Sequence, residues 1–233
     1  MRVAILLGMV FVIVVLTAGC GTLPTKDGTE TVNPTVVSEI LVTNATNSPT
    51  DGPVPTPISE EKLNEIIQAS EDTLIANINS NTAVVDGEKE SVESAYIVDA
   101  DTGLKHWIRG DVSSTNISGF LQYMTDKEHG YIILHTHPYG STYELCRSFS
   151  PGDLIVMSNL HRDGYRILKL YAVNQKNEYV IYPEETANWK SAEVTRNAFN
   201  DVFDNDFSCA NLNDARMSQV AFHLNYTYQH RAL

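Results

Sequence analysis

Basic residues are scarce in this chain. Its 233 residues include 16 Lys and Arg against 29 Asp and Glu, a formal net charge of −13 and a sequence pI near 4.8. Phosphate affinity rests on clustered Lys and Arg, so this balance excludes a nucleic-acid binder. Cysteine is scarcer still, with three residues, too few for a scaffold built from disulfides. Long apolar runs are also missing. The one extended run, Val3 to Leu16, is interrupted only by Gly8 and falls short of the roughly 20 residues that span a bilayer. No internal repeat is present. What remains, 42% apolar and 19% charged residues, is the composition of a folded protein with about one domain of ordinary size.

The short apolar run has the chemistry of an export signal. Arg2 precedes it, and Leu16-Thr17-Ala18-Gly19-Cys20 closes it with small residues, so residues 1–19 read as a cleaved signal peptide. That closing segment resembles the lipobox of prokaryotic lipoproteins. The resemblance implies lipidation of Cys20 and a chain anchored to the outer face of the cell membrane, or in the periplasm. Two or more acyl chains make such anchoring stable. Residues 20–58 are rich in Thr, Pro, Asn and Ser and cannot bury enough apolar surface to offset their ordering entropy. They read as a tether, and residues 59–233 as the folded domain.

Ser59-Glu60-Glu61 predicts a helix start, and Leu63, Ile66, Ile67, Leu74, Ile75 and Ile78 continue it at helical spacing to about Asn79. Ser91 to Val98 alternates like a strand and enters a turn over 99–103, with Leu104 to Arg109 returning. A helix is expected from Ser114 to about Asp126. Tyr131-Ile-Ile-Leu134 has the apolar continuity of a buried central strand. Ser150 to Arg162 is another capped helix. Strands follow over Arg166–Val173 and Glu178–Tyr182, then helices over Glu184–Phe203 and Ala210–Tyr228. This order predicts an α/β domain, a mixed sheet flanked by helices, with extra helices at the C-terminal end.

The chemistry is concentrated after the buried strand, in His135-Thr136-His137-Pro138. At a strand end, residues i and i+2 point to one face, so the two imidazoles aim at one spot. Ser150-Pro151-Gly152-Asp153 adds a carboxylate in the first turn of a helix. Two histidines and one carboxylate leave a fourth coordination position for water, as in catalytic zinc sites. Such a centre activates water near neutral pH.

Glutamate, then His-x-His-Pro, then Ser-x-x-Asp resembles the JAMM motif of the MPN/JAB family of zinc metallopeptidases, which includes isopeptidases. The match runs from about Glu90 to Asp163. The resemblance implies the MPN/JAB, cytidine-deaminase-like fold, zinc bound by His135, His137 and Asp153, and Ser150 hydrogen-bonding the zinc water or the developing oxyanion. It also requires a general acid/base glutamate on an earlier strand. Glu88, Glu90 and Glu93 are the candidates, with Glu93 preferred over Glu90. Glu93 shares strand parity with apolar Ala95 and Ile97, where a carboxylate is costly without a function or a partner. The loop from Pro138 to Gly152 is longer than the family pattern, and its excess falls within Tyr139–Phe149.

Competing patterns fit less well. Amidohydrolase-type barrels need ~250 residues for the barrel alone. The metallo-β-lactamase pattern His-x-His-x-Asp-His is not supplied by Tyr139-Gly140-Ser141, and the Pro-Cys-x-x-Cys of zinc deaminases is absent. Cys146 and Cys209 would meet an oxidising exterior after export and are candidates for one disulfide. The expected function is a membrane-tethered, extracytoplasmic zinc hydrolase of amide or isopeptide bonds in a peptide or protein substrate. The alternative is a non-catalytic surface lipoprotein that keeps the fold for binding.

Overall fold

The computed structural model describes residues 57–85, 87–110, 118–137, 148–185, 187–204, 206 and 213–233. The expected leader, Cys20 and nearly all of the tether lie outside the described residues, as do Cys146, Cys209 and most of the long loop after His137.

Helix α1 (Glu60–Asn77) begins where its cap predicts. The Ser59 side chain accepts from the Lys62 amide, and Glu60 and Glu61 occupy the first turn, where the helix dipole favours negative charge. Next comes a hairpin of β1 (Thr82–Val85) and β2 (Glu88–Ser91), turning at Gly87 with φ 85°. It has no counterpart among the sequence expectations, because its strands are only four residues long and one is wholly polar. The strand expected over Ser91–Val98 is therefore two elements: β2 ends at Ser91, and β3 (Ser94–Asp99) resumes after Val92 and Glu93. Strand β4 (Lys105–Arg109) returns along β3. The Asp99 carboxylate accepts from the amides of Asp101 and Thr102 and so builds the turn between them.

Among the described residues, the helix expected over Ser114–Asp126 is the single turn α2 (Ser118–Leu121). Beyond it follow β5 (Gly130–Thr136), α3 (Pro151–Arg162), β6 (Arg166–Val173), β7 (Asn177–Pro183), α4 (Ala192–Phe203), α5 (Asp214–Leu224) and β8 (Tyr226–Ala232). Six strands form one mixed sheet in the order β4-β3-β5-β6-β7-β8. Only β5 and β6 are parallel, with α3 as their crossover. The α/β class is as expected.

Strand alternation sends two apolar rows to opposite faces. Ile97, Ile133, Leu170 and Ile181 lie opposite one another across four strands, in the core that also buries Leu154, Phe199 and Val220 of α3, α4 and α5. Leu134, Tyr171 and Val180 form part of the other face, which packs with Ile67 and Leu74 of α1. Burying each such side chain stabilises the fold by roughly 1.5–3 kcal/mol.

The C-terminal region departs from expectation. Helix α4 starts at a Ser191 cap, eight residues after the end of β7 and later than Glu184. The last helix stops at Leu224, where Asn225 adopts the left-handed conformation (φ 58°) of a helix C-cap. Tyr226 to Ala232 is then a strand paired with β7, not the end of a helix. Tyr226, Tyr228 and His230 alternate with Thr227, Gln229 and Arg231, a period-2 pattern rich in strand formers. His230 lies on this edge strand, stacked on Tyr179. Phe199 and Phe203 stack in the core, whereas Phe222 is 83% exposed. Among the described residues, no helix is long and apolar enough to cross a membrane.

Candidate metal centre

His135 is the penultimate residue of a strand whose seven residues are all buried, and His137 follows directly after that strand. The His137 amide donates to the Val173 carbonyl, which prolongs the β5–β6 ladder by one bond and fixes the second imidazole. Asp153 is delivered by the start of α3. The Ser150 hydroxyl oxygen accepts from the Asp153 amide, while Asp153 Oδ2 accepts from the Ser150 amide at 2.6 Å, a complete capping box. The Ser-Pro-Gly-Asp sequence thus aims the carboxylate as well as starting the helix.

These three side chains meet. His135 Nε2 lies 2.9 Å from His137 Nε2, and the Asp153 oxygens lie 3.6 and 3.5 Å from the two rings. All three residues are buried. Two neutral imidazoles turning the same nitrogen toward a carboxylate bring lone pairs together, and a shared proton or a cation between them relieves the repulsion. Donor atoms around a tetrahedral ion with bonds of about 2.0–2.2 Å stand about 3.3 Å apart. The observed spacings bracket that value, so the donor set and its geometry fit a metal ion.

Electrostatics tie the cluster together. Burial, only partly offset by the Asp153 charge, lowers the pKa of His135. Burial acts the same way on His137, but its hydrogen bond to Asp153 and the charges of Asp153 and Glu93 outweigh it and raise that ring's pKa. For Asp153, burial works upward, yet the two imidazoles hold the carboxyl well below the usual carboxylate range. The Nδ1 atoms of His135 and His137 are buried without a completed hydrogen bond.

Glu93 sits in the joint between β2 and β3 rather than in a strand, and it is 3% exposed. The β3–β5 register pairs Ala95 with His135; continued by one more same-face step, it sets Glu93 across from His137. Among the bonds that hold that joint, the Ser94 amide donates to Thr136 Oγ1, and the Gly110 amide to the Glu93 carbonyl. Parity therefore identified the right face, and the element was wrong by two residues. Glu90 lies on β2 opposite Ala83, half-buried and away from this face, and Glu88 pairs with Val85 at the turn. The structure thus brings His135, His137, Asp153, Ser150 and Glu93 to one end of the sheet.

Sequence reasoning missed Ser148 and Tyr228. The Ser148 side chain lies 3.0 Å from the Tyr228 hydroxyl, and the Tyr228 ring meets that of Phe149 edge-on. No short-range signal links positions 80 residues apart. Comparison with protein-family models, curated proteins and solved structures returns no match.

Proposed function

We propose that this chain is a zinc-dependent hydrolase of amide or isopeptide bonds, of the JAMM type on an MPN/JAB-like fold. The observation that carries the reading is the buried convergence of His135, His137 and Asp153 with Glu93 set opposite His137. His135, His137 and Asp153 would hold the zinc ion, which when bound supplies Lewis-acid polarisation of a carbonyl and a lowered water pKa. Glu93 takes the proton from the attacking water and returns it to the leaving amine, as general base and then general acid. Its burial keeps bulk water from competing for that proton. The Ser150 hydroxyl uses its oxygen to accept from the helix amide, so its proton is left to donate to the oxygen that gains charge. The backbone bonds at Ser94 and Gly110 keep the glutamate in register with the histidines.

Export and anchoring through Cys20 complete the proposal and rest on the sequence, with a peptide or protein as substrate. The test is metal analysis joined to turnover of peptide and isopeptide amides. The expected outcome is one zinc per chain, activity abolished by chelation, and Glu93→Gln retaining zinc while losing about 10²–10⁴-fold in rate. Absence of stoichiometric zinc from clean protein sinks the reading. Full zinc with no turnover of any amide returns the chain to a binding module.

A further inference from the structure

Ser148, Phe149 and Ser150 form the backbone step that leads into α3, and all three are buried. Two of them touch the metal centre. The Phe149 ring lies 6.2 Å from that of His135, and the Ser150 amide holds Asp153 Oδ2. The same step is gripped from behind by the last strand. The Tyr228 hydroxyl donates to Asp214 Oδ1 at 2.7 Å, so it receives the proton of the Ser148 hydroxyl at 3.0 Å. The Tyr228 ring meets Phe149 edge-on at 6.4 Å.

We propose that Tyr228, oriented by Asp214, is a positioning residue for the metal centre: it fixes Ser148–Ser150 so that the Phe149 ring backs His135 and the Ser150 amide orients Asp153. Groups that hold or abut a metal ligand from outside orient it and tune its affinity. The Ser150 amide holds Asp153 Oδ2 in that sense and the Phe149 ring abuts His135, and Tyr228 fixes the step that carries both. The inference rests on the metal reading above.

The experiment is zinc affinity by competition with a chromophoric chelator, on the full chain, together with the visible spectrum of the Co²⁺-loaded protein. Tyr228→Phe keeps the ring on Phe149 and deletes only the hydroxyl; Ser148→Ala removes the same bond from its other end. Each is expected to weaken zinc binding by about 10- to 100-fold and to shift the Co²⁺ bands. The double variant is expected to bind no more weakly than either single one, because one interaction is lost in all three. Should Tyr228→Phe fail to fold, Asp214→Asn loosens the same hydroxyl from a half-exposed position and is expected to act in the same direction. A role confined to structure would lower the melting temperature of the metal-free protein and leave affinity and spectrum alone. Singles that bind zinc as tightly as the unaltered chain overturn the inference and leave the metal reading standing. An unaltered chain that binds no zinc overturns both.

Discussion

Each face of the sheet buries a cluster of ionisable groups, and the two clusters are tuned in opposite directions. On one face Asp153 lies between two imidazoles and its carboxyl is held well below the ordinary range. On the other, Glu71 of α1 is buried against Glu178 of β7, with Arg231 of β8 reaching both at 3.2 and 2.6 Å. There burial first, and then the neighbouring Glu178, push the Glu71 carboxyl up to about 8. Burial raises both acids, so burial does not separate them. The neighbours do: rings that accept a positive charge favour an anion, whereas a second carboxylate disfavours one. Tyr171, on the same face as Glu71, is also pushed up to about 12, by burial and then by Glu178 and Glu71. The first cluster thus favours an anion that could hold a cation, and the second favours a retained proton.

Breaking the first cluster is expected to have the largest effect. Asp153→Ala removes a proposed ligand and the N3 half of the capping box together. Its zinc affinity should fall further than the about 10- to 100-fold that outer partners cost, and chelator competition reads this directly. The cap adds a stability loss of about 1 kcal/mol, visible in denaturant unfolding of the metal-free protein.

The second cluster is sharpened by pH. Glu71 has a folded pKa of about 8 against an ordinary value of 4.5, so its proton is held more tightly in the folded state. The stability this proton gives is complete below about 4.5 and is lost as pH rises through about 8. Urea unfolding with chelator present should therefore show stability declining across that window. Glu71→Gln should remove the decline and leave the protein more stable at pH 8 by about 1–2 kcal/mol, less than the bare shift implies, because the pair shares one proton and is partly neutralised by Arg231. A Glu71→Gln profile parallel to that of the unaltered chain would show the carboxyl to be ionised throughout.

The smallest effect belongs to Arg231, whose side chain is half exposed. Solvent screens its attraction, so Arg231→Gln should destabilise by only about 0.5–1 kcal/mol at neutral pH. Zinc affinity should not change, since Arg231 and the ligands lie on opposite faces.

Much of the first cluster was legible in the sequence because its information is local. His135 and His137 follow from strand parity, and Asp153 from the Ser-x-x-Asp of a helix cap. Glu93 was half legible: parity gave its face, while the break at Val92 depends on a hairpin too short and polar to announce itself. The second cluster was not legible. Glu71 reads as one more solvent-facing acid on a helix, and its partners are supplied by strands from the far end of the chain. The last strand was hidden by the apolar spacing of Met217, Val220, Ala221 and Leu224, which suggests a helix running on until the left-handed turn at Asn225 stops it. Tyr228 was hidden with it.

That last strand reaches both faces, sending Tyr228 to one and Arg231 to the other. During synthesis the histidines, the aspartate and the first helix all emerge well before it. The cluster around Glu71 is complete only once β8 pairs with β7, and the contact from Arg231 to Glu71 spans 160 positions. Closure of that face therefore waits until β8 has been made. Until then the nascent chain holds Glu71 without the guanidinium it meets in the folded protein.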